Sequence, residues 1–259
     1  MSEVRDAVIQ VQDLHKSFRN GRDHVLRGMN LEFPRGQLTY ILGPSGTGKS
    51  VLIKHILGLL KPDQGRVIVK GKDIGSLRGT DLSEHRMIFG MLFQNSALFD
   101  DMTIFENVAF PLREHTRLKE DEIKRKVEKT LTHLGISSGF DKSPNELSGG
   151  MRKRVGLARA IIREPEILLY DEPTTGLDPV TRITVDELIA QLKSELSLTS
   201  IVISHDIPSA LKLADRIAFL YQGKVVFTGT PAEFRKSSHE AIRAFLAAEL
   251  KSIEVLIEN

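Results

Sequence analysis

The sequence predicts an α/β fold, a mostly parallel sheet covered by helices on both faces, with strands leading at its N-terminal end and an inserted α-helical lobe. Three observations predict it. Short strand-like runs alternate with helix-period stretches on both sides of the chain's middle. A buried-looking strand, Leu38-Thr39-Tyr40-Ile41-Leu42, breaks on a glycine-rich turn and passes straight into a helical pattern. From about Asn95 to Arg163 the patterns are helical only.

Taken in order, Ala7–Val11 and Val25–Phe33 are short, partly alternating runs that read as strands, followed by the strand Leu38–Leu42. A helix is expected from Lys49 to about Leu60, then strands at Arg66–Lys70 and Met87–Phe93. Helices follow at Ile104–Leu112, at the charged amphipathic Lys119–Leu134, and at Gly149–Ile162. Strands return at Ile167–Tyr170, Ser200–Ser204 and Arg216–Leu220, with helices at Pro179–Leu196 and Ile207–Leu213 between them. Such alternation places strands in parallel under helical crossovers. Ala218–Tyr221 and Val225–Thr228 read as a hairpin turning at Gln222-Gly223, and a helical tail starts at Pro231. The expected organisation is one domain over 1–259. Its α/β core comes from 1–94 and 164–230, its helical subdomain from 95–163 and its tail from 231–259. Ala241, Ile242, Phe245, Leu246 and Leu250 stand at helical spacing in the tail, a pattern that usually packs on its own domain, with partner binding or dimer clasping as the lesser alternative.

Composition excludes several chemistries. The chain of 259 residues has no cysteine, so it has no disulfide, thiolate metal site or cysteine nucleophile, and an intracellular protein is expected. A net charge of +2 is too small and too dispersed for a nucleic-acid partner. No stretch reaches the roughly 18–20 apolar residues of a membrane span. The run Ile56-Leu57-Gly58-Leu59-Leu60 ends at once in Lys61-Pro62, and Met1 to Gln12 carries no apolar signal region. Service to a membrane therefore calls for a partner.

Gly43-Pro44-Ser45-Gly46-Thr47-Gly48-Lys49-Ser50 is a P-loop: two glycines, four free positions between them, then lysine and a hydroxyl residue. Glycines let several N–H groups turn inward, and the helix that follows aims its positive end at the same place. Lys49 reaches the β/γ-phosphates in such a loop, and Ser50 ligates Mg²⁺. Ile167-Leu168-Leu169-Tyr170-Asp171-Glu172 is an apolar strand ending in two acids. Alone, that ending serves solubility equally well. Beside a P-loop, Asp171 holds Mg²⁺ and Glu172 polarises an attacking water as general base.

Leu147-Ser148-Gly149-Gly150-Met151 opens a helix shortly before the acidic strand and resembles the signature motif of ABC ATPases. P-loop, signature, Asp-Glu strand end and a later Ser204-His205, in that order, are similar to that family from about Val8 to Thr228. The resemblance implies a RecA-like P-loop NTPase core with an N-terminal antiparallel β region, which binds and hydrolyses ATP with Mg²⁺. It implies that Gln94 is the glutamine of a loop that contacts Mg²⁺ and the attacking water. His205 is then the switch histidine, Asp178 communicates across a dimer, and Phe18 stacks on adenine. Asp178 beside Pro179 is also an ordinary helix cap, and Phe18 an ordinary core residue. By the same resemblance, Ser148, Gly149 and Gly150 complete the ATP site of a second copy. Two departures stand out: Met151 where a glutamine is common, and Val51 after Ser50 where many relatives carry a second hydroxyl.

The stretch Met91–His115, and Ser148-Gly149-Gly150-Met151 with it, is similar to the ATPases of Mla-type, MCE-associated phospholipid transporters of diderm bacteria. That implies transmembrane permease subunits, a homodimer, an MCE-domain substrate-binding protein and a place on the cytoplasmic face of the inner membrane. Thr174-Thr175-Gly176-Leu177 keeps the general ABC form rather than the enterobacterial Mla variant. An importer ATPase for a small polar solute and a soluble ABC protein of Fe–S assembly remain as alternatives.

Overall fold

The computed structural model describes residues 6–257, with side chains to residue 248. The outermost residues of the expected domain and tail, 1–5 and 258–259, lie outside the described residues, as does the side chain of Leu250. The chain forms two compact units. One is built from the chain up to Arg86 and from Ile201 onward, the other from Met87 to Ser200.

The first unit opens with β1 (Ala7–Phe18) and β2 (Asp23–Pro34), an antiparallel pair. β3 (Leu38–Leu42) leads through the P-loop into α1 (Lys49–Ile56). β4 (Gln64–Val69) and β5 (Lys72–Asp73) complete an antiparallel sheet in the order β2-β1-β4-β5. α1 is shorter than its periodicity predicts. Gly58 adopts φ 64°, and the N–H of Leu59 turns back to the Lys54 carbonyl at 2.8 Å, a glycine-terminated helix end. A helix that the sequence did not announce, α2 (Gly79–Met87), takes Met87 out of the expected strand. Its residues are mostly polar and form no apolar stripe, so the helical period carries no signal there. His85 and Arg86 tie it to the carbonyls of Ile56, Leu57 and Gly58 at the end of α1.

In the second unit β6 (Phe89–Leu92) runs parallel to β7 (Ile167–Asp171). Between them in sequence lie α3 (Ile104–His115), α4 (Glu120–His133) and α5 (Gly149–Ile161), which pack on one another. α6 (Pro179–Leu196) follows and packs on α5. β7 is apolar at every position before its terminal acid and is buried from Ile167 to Tyr170. That continuous run, rather than an alternation, is what a strand covered on both faces requires. Each such side chain contributes about 1.5–3 kcal/mol on leaving water.

β8 (Thr199–Ile203) carries the chain back into the first unit, where the N–H of Ser204 reaches the Ile41 carbonyl at 3.2 Å. α7 (Ile207–Leu213) and β9 (Arg216–Tyr221) follow, and β9 lies parallel to β3. β10 (Lys224–Gly229) closes the expected antiparallel hairpin at Gln222-Gly223. The tail is helical, as α8 (Pro231–Arg235) and α9 (Glu240–Ile257). Ile242 is buried, and the Phe245 ring lies 5.2 Å from that of Phe219, so the described part of the tail packs on its own unit. Among the described residues no helix is long and apolar enough to cross a membrane.

Candidate functional site

The P-loop is set by the close passage of β9. A Cβ on Gly43, where φ is 149°, would stand 2.2 Å from the Leu220 carbonyl oxygen, so only glycine fits. Gly48 caps α1 in the left-handed region at φ 100°, and a Cβ there would stand 2.6 Å from Leu26 Cδ2. No side chain caps α1 and no acid lies in its first turn, so the helix end keeps its positive character for an anion. Lys49 is buried and curls over the loop, its ammonium donating to the Gly43 carbonyl at 2.6 Å and to Pro44 at 3.0 Å. Thr47 Oγ1 donates to the Pro44 carbonyl at 2.9 Å and braces the turn. Ser45, Gly46 and Ser50 are exposed, and Val51 is half-buried. A cavity of about 620 Å³ opens beside Pro44–Thr47, lined also by Arg22, His24, Arg27 and Tyr221. The three basic residues there escaped sequence reading, because they belong to no motif and are distant from the loop in sequence.

Phe18 ends β1 and is exposed, with the Lys16 ammonium 5.7 Å from its ring centre. Lys16 in turn is held by Asp63 at 2.6 Å and by the Lys61 carbonyl. His205 is exposed beyond β8, between two buried neighbours that fix the turn. The Asp206 N–H donates to Ser204 Oγ at 2.9 Å, and Asp206 Oδ1 caps α7 through the Ser209 N–H at 3.1 Å.

The remaining candidates stand in the second unit. Asp171 ends β7 and Glu172 follows it, both half-buried. Glu172 takes φ 48°, a left-handed conformation rare outside glycine, and Thr175 Oγ1 donates to its Oε2 at 2.9 Å. Gln94 is exposed after β6. Ser148 caps α5, its Oγ accepting the Met151 N–H at 3.3 Å, and α5 carries no acid in its first turn. The signature glycines serve a close approach within this unit. A Cβ on Gly150 would stand 2.6 Å from Thr181 Cγ2, and one on Gly149 would stand 3.3 Å from Leu177 Cδ2. Asp178 therefore lies next to the signature as well as capping α6. Its Oδ1 accepts the N–H groups of Val180 and Thr181 at 3.0 Å each, and the Thr181 hydrogen bonds hold its carboxyl below the usual range.

One buried cation, one half-buried cation and one buried amide lie in this unit without having been singled out in the sequence. Lys153 donates to the Gln94 carbonyl. Burial lowers its ammonium to about 8, a shift that the Asp171 and Glu172 carboxylates oppose. Arg159 Nη2 donates to the Ser96 carbonyl at 2.9 Å. Asn107, fully buried in α3, accepts the Phe99 N–H at 2.8 Å and donates to the carbonyls of Phe99, Met102 and Thr103. Lys153 shares the helical phase of the buried residues Leu157 and Ile161, and that mismatch was the available signal. A second cavity, of about 610 Å³, is lined by Lys126, His133, Ile162, Glu164, Glu195 and Leu198 among others and contains none of the predicted residues.

The model of the ABC transporter family matches residues 26–175, which run from β2 through the P-loop, the signature and the acidic end of β7. The chain belongs to the ABC transporter family. As an ATPase of that family it binds ATP. The intermembrane phospholipid transport system ATP-binding protein MlaF of Haemophilus influenzae is 41% identical over 93% of this chain and 91% of its own length. A probable ribonucleotide transport ATP-binding protein of Mycobacterium leprae is 40% identical over 92% of this chain and 68% of its own. Among solved structures, a dimeric ATP-binding cassette in a post-hydrolysis state with ADP and phosphate superposes with a TM-score of 0.78. It is 30% identical and covers 86% of this chain and 98% of its own. The residues present suit ATP with Mg²⁺. No group of three or more His, Asp or Glu side chains among the described residues could hold a metal by itself. Mg²⁺ bound through a carboxylate, a hydroxyl and the phosphates of a nucleotide needs no such group.

Proposed function

We propose that this ABC ATPase energises phospholipid transport between inner and outer membranes, working as a homodimer beneath transmembrane permease subunits with an MCE-domain substrate-binding protein. The near full-length similarity to the Haemophilus phospholipid transport protein carries this reading, and the Met91–His115 stretch supports it. The protein then sits on the cytoplasmic face of the inner membrane, held there by the permease.

In this reading the roles divide by chemistry. The backbone N–H groups of the loop Gly43–Ser50, of which Pro44 has none, and the ammonium of Lys49 hold the β/γ-phosphates, with Val51 following at the helix start. Phe18 stacks on adenine. Ser50, Asp171 and Gln94 attend Mg²⁺, which neutralises phosphate charge when bound. Glu172 takes the proton of the attacking water, and His205 and Gln94 orient around the γ-phosphate. Ser148, Gly149 and Gly150 present a second helix end to the γ-phosphate of a partner copy, and the adjacent Asp178 relays between copies. Joining two copies across intact ATP and releasing them after hydrolysis delivers the stroke to the permease.

A tagged pull-down from detergent-solubilised membranes, read by mass spectrometry, tests it. Recovery of a multispanning permease with an MCE-domain protein is the expected result. The name of the mycobacterial relative favours a second reading, transport of a small polar solute such as a ribonucleotide. A permease recovered with a solute-binding protein and no MCE-domain protein would move the conclusion there. Soluble partners alone would overturn the transporter.

A further inference from the structure

Three residues three positions apart on one face of α5 address the same short loop, 94–99, between β6 and α3. Lys153 donates to the Gln94 carbonyl, and Arg159 donates to the Ser96 carbonyl at 2.9 Å. The Arg159 guanidinium also lies 5.6 Å from the ring centre of Phe99. Between the two cations, Gly156 lets the loop come close. A Cβ there would stand 3.0 Å from both Leu92 Cδ1 and Ser96 Cβ.

The loop does not hold this shape on intrinsic preference. Ser96 and Ala97 take φ 59° and 48° in succession, left-handed conformations that non-glycine residues adopt only when their surroundings impose them. Lys153 is 5% exposed, and placing a cation there serves neither solubility nor apolar packing. A methionine would fill the same space at lower desolvation cost. What only a long cation supplies is a donor that reaches a backbone carbonyl of the loop.

We propose that Lys153, Gly156 and Arg159 are positioning residues that lock the glutamine loop to the signature helix, so that Gln94, Phe99 and the Ser148 end of α5 move as one body. A load applied at Ser148 then reaches Gln94 and Phe99 through a helix and three contacts, without slack. The consequence for hydrolysis rests on the reading of Gln94 given above; the mechanical lock does not.

The test uses the full chain and two readouts. Backbone hydrogen exchange of residues 95–99 is measured without nucleotide in the parent, Lys153→Met, Arg159→Leu and Lys153→Arg. ATP turnover is measured on the permease complex as kcat and KM. Lys153→Met and Arg159→Leu should each speed loop exchange by about tenfold while α3 and α4 keep their protection. Lys153→Met should lower kcat by on the order of 10- to 100-fold at unchanged KM, since displacing a positioned group by about 1 Å has that scale of effect. Lys153→Arg should restore both readouts, which a loss of general packing would not allow. Should the cation variants not fold, Gly156→Ala keeps both donors and lifts the loop by a few tenths of an ångström; faster loop exchange is again expected. Unchanged exchange across 95–99 in the folded variants overturns the lock. A parent complex that exchanges as expected but hydrolyses no ATP would instead overturn the functional reading and leave the lock standing.

Discussion

Thr175 donates its hydroxyl to Glu172 at 2.9 Å, and Glu172 holds that position in a left-handed backbone conformation, φ 48°. A carboxylate at the end of a strand has several rotamers open to it, and this contact, with the local backbone, selects one. If Glu172 is the general base, Glu172→Gln should lower turnover by about 10²–10⁴-fold while ATP binding persists. It should also trap an ATP-bound dimer on size exclusion. Thr175→Val should give a milder loss in kcat at unchanged nucleotide affinity. Parental turnover by Glu172→Gln would remove the base assignment.

Lys49 spends its ammonium on two carbonyls of its own loop, Gly43 and Pro44. A bound phosphate would compete for the same donor, and a charged hydrogen bond of that kind is worth about 1.5–3 kcal/mol. Lys49→Ala should therefore weaken nucleotide binding by roughly 10- to 150-fold at that scale. Titration with a fluorescent ATP analogue measures it. Equal affinity in parent and variant would refute the phosphate role of the loop.

Most strands and the motifs were legible because each carries a local rule, whereas the two-residue β5 is too short to carry one. Leu38–Leu42 and Ile167–Tyr170 are apolar runs bounded by breaks, and the P-loop needs its glycines where Leu220 and Leu26 crowd it. What escaped was long-range. α2 has no apolar stripe and is held through side chains of His85 and Arg86 to carbonyls about 29 positions away. Lys153 reads as one of three basic residues in a row until the fold buries it and leaves its neighbour Arg154 to pair with the Leu134 carbonyl. The basic lining beside the P-loop, Arg22, His24 and Arg27, likewise exists only after β2 is placed.

His85 gives a stability prediction with a definite sign. Burial lowers its pKa, and the contact of Nε2 with the Ile56 carbonyl only partly opposes this. The folded state therefore binds protons less readily at this group than the unfolded chain, whose histidines titrate near about 6.5. The stabilising effect is present above that pH and is lost as pH falls through about 6.5 toward the lowered folded value. His55, also lowered mainly by burial, adds to the same limb. Urea midpoints at pH 7.5, 6.5 and 5.5 should fall on the acid side, and fall less in His85→Gln than in the parent. Equal slopes in the two proteins would show that His85 does not carry the effect.

Asn107 makes four hydrogen bonds to backbone groups of the second unit. It is fully buried and satisfies both backbone groups of Phe99 together with the carbonyls of Met102 and Thr103. These atoms belong to the segment that leads into α3, which Thr103 and Glu106 begin with a reciprocal cap. Removing the amide leaves several part-buried backbone groups without that partner, each at about 1–3 kcal/mol where water cannot enter. Asn107→Ala should therefore cost about 2–4 kcal/mol, at the high end of single substitutions. Asn107→Asp keeps the acceptor for the Phe99 N–H but exchanges the donating amide for an oxygen aimed at three carbonyls, and should be worse than Asn107→Ala. Urea unfolding of the three proteins orders them. If Asn107→Asp is the more stable of the two variants, the donor contacts are not what holds this segment.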